Sequence, residues 1–173
     1  TPARRHAMST PTTLRAPGIA ILCADGAVPA VGHTTWNQVA RLGEFKGHPQ
    51  GAFAFTPEVF AELIANFAET ANGRVPVDYE HTSELLPDNA AQEGVPAVAW
   101  VVALDDRGPD GLWGAFEWVD AQAVEYVRAR RYLYLSPAVH FDATHRESGE
   151  AIGARLTSVA LTNHPFLDGM APL

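Results

Sequence analysis

The chain has 173 residues, 47% of them hydrophobic and 18% charged, with 14 Gly and 13 Pro, which suits one turn-rich globular domain and excludes disorder throughout. Lys and Arg number 12 against 20 Asp and Glu, a net charge of −8, so a partner that needs many phosphates neutralised, such as nucleic acid, is not expected. The single cysteine, Cys23, excludes an internal disulfide and a Cys-rich zinc site and suits a reducing compartment.

In chain order, residues 1–17 read as a flexible basic tail, with Met8 a candidate start, and residues 18–173 as one domain. The apolar run 19–24, closed by Asp25-Gly26, predicts a short strand. Trp36, Gln38, Ala40 and Leu42 alternate with Asn37, Val39, Arg41 and Gly43, and the Trp and Val content predicts another strand, of mixed burial. A turn over 47–51 and a strand over 52–55 lead into Thr56-Pro57-Glu58, which has the order N-cap, first helical residue, acidic first turn. Phe60, Leu63, Ile64 and Phe67 then line one helical face, and Asn72-Gly73 ends the helix. Residues 75–79 return as a strand, and 81–94 read as a long exposed loop. Residues 96–104 and 111–119 form a hairpin about the turn 105–110. The apolar run 97–104 is far shorter than the roughly 20 residues of a membrane helix, and no membrane partner is expected. Asp120 caps a helix over 121–130, residues 132–141 form a strand, a loop centres on Gly149, and 156–162 form the last strand. The fold class is mainly β with helices (α+β), an antiparallel sheet or barrel decorated by two helices.

The common nucleotide, zinc-protease, redox-cysteine and nucleophile-elbow motifs are absent from the sequence. Two positions suit chemistry. His81, in Asp78-Tyr79-Glu80-His81, stands where a strand opens into a polar loop, so a rigid element holds it within reach of solvent. Ser136, in Leu135-Ser136-Pro137, is fixed mid-strand, and Pro137 biases it toward extended geometry. Because Pro137 has no N–H, an oxyanion would have to be met by another segment, and the turn 163–169 is the candidate. A metal site built from Asp78, Glu80, His81, His140, His145 and His164 is the disfavoured alternative, since no pair has helical i, i+4 spacing. No cofactor is called for.

Val75-Pro-Val-Asp-Tyr-Glu-His81, Val95-Pro-Ala-Val-Ala-Trp-Val, Gly111-Leu-Trp-Gly with Glu117-Trp118, Tyr134-Leu-Ser-Pro137 and Leu156-Thr-Ser-Val-Ala-Leu-Thr-Asn163 stand in this order. Together with 43–51 and Phe55-Thr-Pro57, they resemble the Mu-like prophage I proteases over about residues 36–165. Those proteins resemble the prohead proteases of other tailed phages and the herpesvirus assemblins. The resemblance implies an assemblin-like antiparallel β-barrel with two or more helices and a serine endopeptidase of capsid maturation that cleaves the internal scaffold and itself. It implies His81 as base and Ser136 as nucleophile. Assemblins place a second His at the start of a His-Val-Ala-Leu strand, and here Ser158-Val159-Ala160-Leu161 stands, so Ser158 is the implied third member and His164 the competitor. The implied partners are a scaffold protein and the major capsid protein, with a homodimer allowed, inside the assembling prohead in the bacterial cytoplasm. The alternative is a non-catalytic capsid scaffold that keeps the fold.

Overall fold

Side chains that alternate along a strand place one set inward, and the sheet here is assembled by those inward sets. The computed structural model describes residues 28–69, 73–85 and 94–173, with the backbone of two short paired strands, β1 (Leu14–Ala16) and β2 (Ile19–Ile21). The tail expected over 1–17 lies outside the described residues apart from the β1 backbone, as does Cys23.

β3 (Thr34–Ala40) leads to a two-stranded ribbon of β4 (Gly43–Phe45) and β5 (Phe53–Phe55). Then comes α1 (Pro57–Phe67), whose Thr56 cap accepts from the Val59 N–H at 3.3 Å. Phe60, Leu63 and Phe67 are buried, each contributing about 1.5–3 kcal/mol by leaving water. The helix stops at Phe67, five residues short of the expected Asn72.

β6 (Val75–Tyr79) has the expected bounds. The expected loop after it begins with a single helical turn, α2 (Thr82–Leu85), and residues 86–93 lie outside the described residues. β7 (Ala99–Asp106) and β8 (Leu112–Trp118) form the expected hairpin. Trp118 is fully buried and donates its indole N–H to Thr35 Oγ1 at 2.8 Å. Asp120 caps α3 (Ala121–Arg128) through the Ala123 N–H at 2.7 Å.

The last hairpin, β9 (Tyr134–Thr144) with β10 (Ala151–Thr162), is longer than expected. Its pairing shifts register at three points, between Ala151 and Gly153, Gly153 and Arg155, and Leu156 and Ser158. Bulges of this kind let pairing run through a glycine that otherwise reads as a break. Gly153 has φ +74°, and a Cβ there would overlap the Glu62 carboxylate. That close approach lets Glu62 accept from the Ala154 N–H at 2.8 Å, while Asn66 on the same helix donates to the Ile152 and Ala154 carbonyls. α1 is thereby docked across β10.

The strand order is β3-β8-β7-β6-β10-β9. The sheet curls into a half-barrel whose edge strands β3 and β9 approach each other, with three α-helices around it among the described residues. This is the expected α+β class. One of the five pairings departs from the antiparallel expectation, because β10 lies parallel to β6. β10 inserts between β6 and β9, and that insertion brings the residues of the candidate site side by side.

Candidate active site

In the β6-β10-β9 layer, Ala160 stands opposite Asp78 on one side and opposite Ser136 on the other. At a strand spacing of about 4.8 Å, this puts the Cα atoms of Asp78 and Ser136 roughly 10 Å apart. Residues in register share a face, so Asp78, Ala160 and Ser136 form one row, flanked along β10 by Ser158 and Thr162. Val77, Val159, Leu161 and Leu135 point into the hydrophobic core instead. Among the described residues, the buried polar ones are Thr35, Asp78, Ser136, Ser158 and Thr162. All but Thr35 belong to this one face.

The shift between Leu156 and Ser158 resets the alternation. Leu156 packs in the core, yet Ser158, two residues on, faces the polar row. At the same bulge Thr157 turns toward Glu84 as well. Thr157 Oγ1 and Ser158 Oγ donate to Glu84 Oε1 at 2.6 and 2.7 Å, so the α2 turn is tied down onto β10.

That turn carries His81. Glu80 and His81 are consecutive non-glycine residues at φ +52° and +57°, a left-handed geometry that costs about 1–2 kcal/mol per residue. Local bonds over-determine it. Asp78 Oδ2 accepts from the Ser83 N–H at 2.7 Å, Thr82 Oγ1 donates to the Tyr79 carbonyl, and Glu80 accepts from Thr162 Oγ1 at 2.7 Å. The His81 carbonyl accepts from the Glu84 and Leu85 N–H groups.

His81 is half-buried, with Nδ1 inward, and among the described residues neither Nδ1 nor the equally buried second carboxylate oxygen of Asp78, Oδ1, has a partner. Each orphan of this kind costs about 1–3 kcal/mol. Ser136 is 9% exposed, and its hydroxyl makes no hydrogen bond with the described residues. Tyr79 points its ring to the other side, against Tyr126 and Tyr132 at 6.3 and 5.2 Å between centroids. Burial, with Asp120 and the two tyrosines adding, pushes its phenol up to about 12.

Of the residues expected from sequence, Ser136 and Ser158 lie on the shared row, and His81 sits on the turn that Glu84 ties to β10, with no hydrogen bond to Ser136 among the described residues. His164 is exposed beyond the end of β10, with its backbone N–H donated to Thr162 Oγ1 at 3.0 Å. In the turn 163–169, Asn163 is used internally, donating to the Arg131 carbonyl and accepting from the Leu133 N–H. His145 pairs with Glu69 at 3.5 Å, and no three His, Cys, Asp or Glu side chains gather as a cation site among the described residues. Glu84 was missed by sequence reasoning because 81–94 read as an undivided loop. The available signal was the spacing of His81 and Glu84, one helical turn apart, with Thr82 and Ser83 between.

Residues 37–173 match the model of the Mu-like prophage I protein, N-terminal domain. The chain belongs to that family. It is therefore a phage protein of the Mu-like prophage I type. No curated protein and no solved structure matches it.

Proposed function

We propose that this Mu-like prophage I protein is a serine endopeptidase of head assembly that cleaves the internal scaffold, and itself, inside the prohead in the host cytoplasm. Ser136 is the nucleophile and His81 its general base. The observation that carries the reading is the buried polar row. Ser136 stands on it with a hydroxyl that makes no hydrogen bond among the described residues, and the strained turn that carries His81 is tied to the neighbouring strand through Glu84 and Ser158. Strain that the surroundings over-determine gathers at working sites. The scaffold protein and the major capsid protein are the partners that the family's phage setting favours.

The chemistry follows from the groups. His81 takes the Ser136 hydroxyl proton, and the oxygen attacks a peptide carbonyl. The proton passes to the departing amine as the C–N bond breaks, leaving an ester on Ser136. Water, deprotonated by the same imidazole, hydrolyses that ester and restores both residues.

The test incubates the purified chain with scaffold protein of the same phage and, separately, with a fluorophosphonate reagent. Scaffold fragments and an adduct mapped to Ser136 are expected, both lost in Ser136→Ala and His81→Ala. A folded wild-type chain that neither cleaves nor labels would be the non-catalytic assembly protein instead.

A further inference from the structure

The geometry points to Asp78 as the residue that positions His81 and balances its charge, an inference that rests on the serine-protease reading above. Two orphaned atoms carry it. His81 Nδ1 and Asp78 Oδ1 are both buried without a partner among the described residues, on one turn and three residues apart. One is a donor when it bears the proton, and the other is an acceptor whenever the carboxylate is ionised. Native folds seldom leave such groups unpaired, and a reorientation of the imidazole that joins them satisfies both together.

The surroundings favour Asp78 over the other candidates. It is 2% exposed and grows from β6, a rigid central strand. Its Oδ2 is held by the Ser83 N–H, so the carboxylate is clamped from beyond His81 and only Oδ1 remains free. Ser158 donates its hydroxyl hydrogen bond to Glu84, and Glu84 Oε1 already accepts from two hydroxyls. His164 is exposed and past the end of the row.

With Nδ1–H directed at Asp78, the proton-free nitrogen is Nε2, on the accessible side of the ring. When Nε2 takes the Ser136 proton, the imidazolium carries two N–H groups. Asp78 stays ionised, accepts from Nδ1–H, and receives no proton itself. Asp78 is thus a positioning residue that acts through His81.

The decisive variant is Asp78→Asn, whose side-chain oxygen still serves the Ser83 N–H while its NH2 faces His81 as a donor. Fluorophosphonate labelling of Ser136 and kcat on scaffold should fall by about 10³- to 10⁴-fold, with KM within about twofold and Asp78→Glu recovering part. A nitrogen-15 NMR readout needs no activity. In Ser136→Ala protein, His81 should carry its proton on Nδ1, and adding Asp78→Asn should move it to Nε2. Labelling of Asp78→Asn at the wild-type rate, or an Nε2–H tautomer with Asp78 intact, overturns the inference and leaves proteolysis standing. Collapse of kcat in Glu84→Gln alone does the same and transfers the role. An unlabelled wild-type chain sinks the serine-protease reading, whereas the tautomer still decides whether Asp78 holds His81. Should Asp78→Asn not fold, the tautomer measured with Asp78 intact decides the matter.

Discussion

Ser158 Oγ donates to Glu84 Oε1 at 2.7 Å, joining residues 74 positions apart in sequence. Glu84 lies one helical turn beyond His81, so this bond and its Thr157 companion fix the attitude of the turn. Removing the carboxylate in Glu84→Ala frees both hydroxyls and should cost about 1–3 kcal/mol in urea unfolding, and it should also slow scaffold cleavage. Ser158→Ala removes one of two donors and should slow cleavage tenfold or less, where about 1.4 kcal/mol corresponds to tenfold. His164→Ala should change neither quantity. A thousandfold loss in a folded Ser158→Ala protein would place that hydroxyl on His81 itself.

Ser136→Ala should abolish scaffold cleavage with its melting temperature nearly unchanged. The hydroxyl has no hydrogen bond among the described residues to lose, and the methyl that replaces CH2OH leaves little void. Cleavage persisting in the purified variant would assign the nucleophile elsewhere.

The sheet itself was readable in part. β6 was legible because Val75, Val77 and Tyr79 alternate between turn residues, and the start of α1 because Thr56, Pro57 and Glu58 each satisfy a different terminal requirement. The lengths of β9 and β10 were not legible, since bulges at Gly153 and Ser158 keep pairing alive where local composition signals a stop. The parallel union of β6 with β10 joins segments some eighty residues apart and leaves no periodic trace. For the candidate site, His81 stands out in its own segment by its place at a strand end, and Ser136 by its rigidity, although it is buried. That Asp78, Ser158 and Thr162 share a face with Ser136 depends on register, which only the assembled sheet supplies.

Tyr79 offers a test on the core side. Its hydroxyl is buried without a partner among the described residues, so Tyr79→Phe should be neutral or stabilising by up to about 1 kcal/mol. The neutral phenol is the form that the fold prefers. Unfolded chain ionises near 10, so this contribution to stability is complete below pH 10 and is lost as pH rises toward about 12. Ultraviolet titration should show one phenol ionising last, near the alkaline unfolding transition, and Tyr79→Phe should remove that step. Burial, then the nearby Glu80, raises Tyr132 in the same sense, so its phenol ionises later than a free tyrosine.

Gly153→Ala should be damaging although the residue lies in a strand and touches no part of the polar row. It places a side chain at φ +74° and displaces the Glu62 carboxylate from the Ala154 N–H. The two effects together should cost about 2–4 kcal/mol, read as a lowered urea midpoint. Glu62→Gln, which keeps an acceptor, should cost less than half as much.

The insertion of β10 between β6 and β9 has a temporal consequence. Chain elongates from its N-terminus, so β6, the His81 turn and β9 all leave the ribosome before the strand that brings them side by side. Until β10 is in place, Ser136 has no neighbour on that edge and Glu84 has no hydroxyls to grip. A nascent chain therefore holds every side chain of the row's first half and none of its arrangement. The arrangement therefore forms in one step, once β10 has been made and has slid into place.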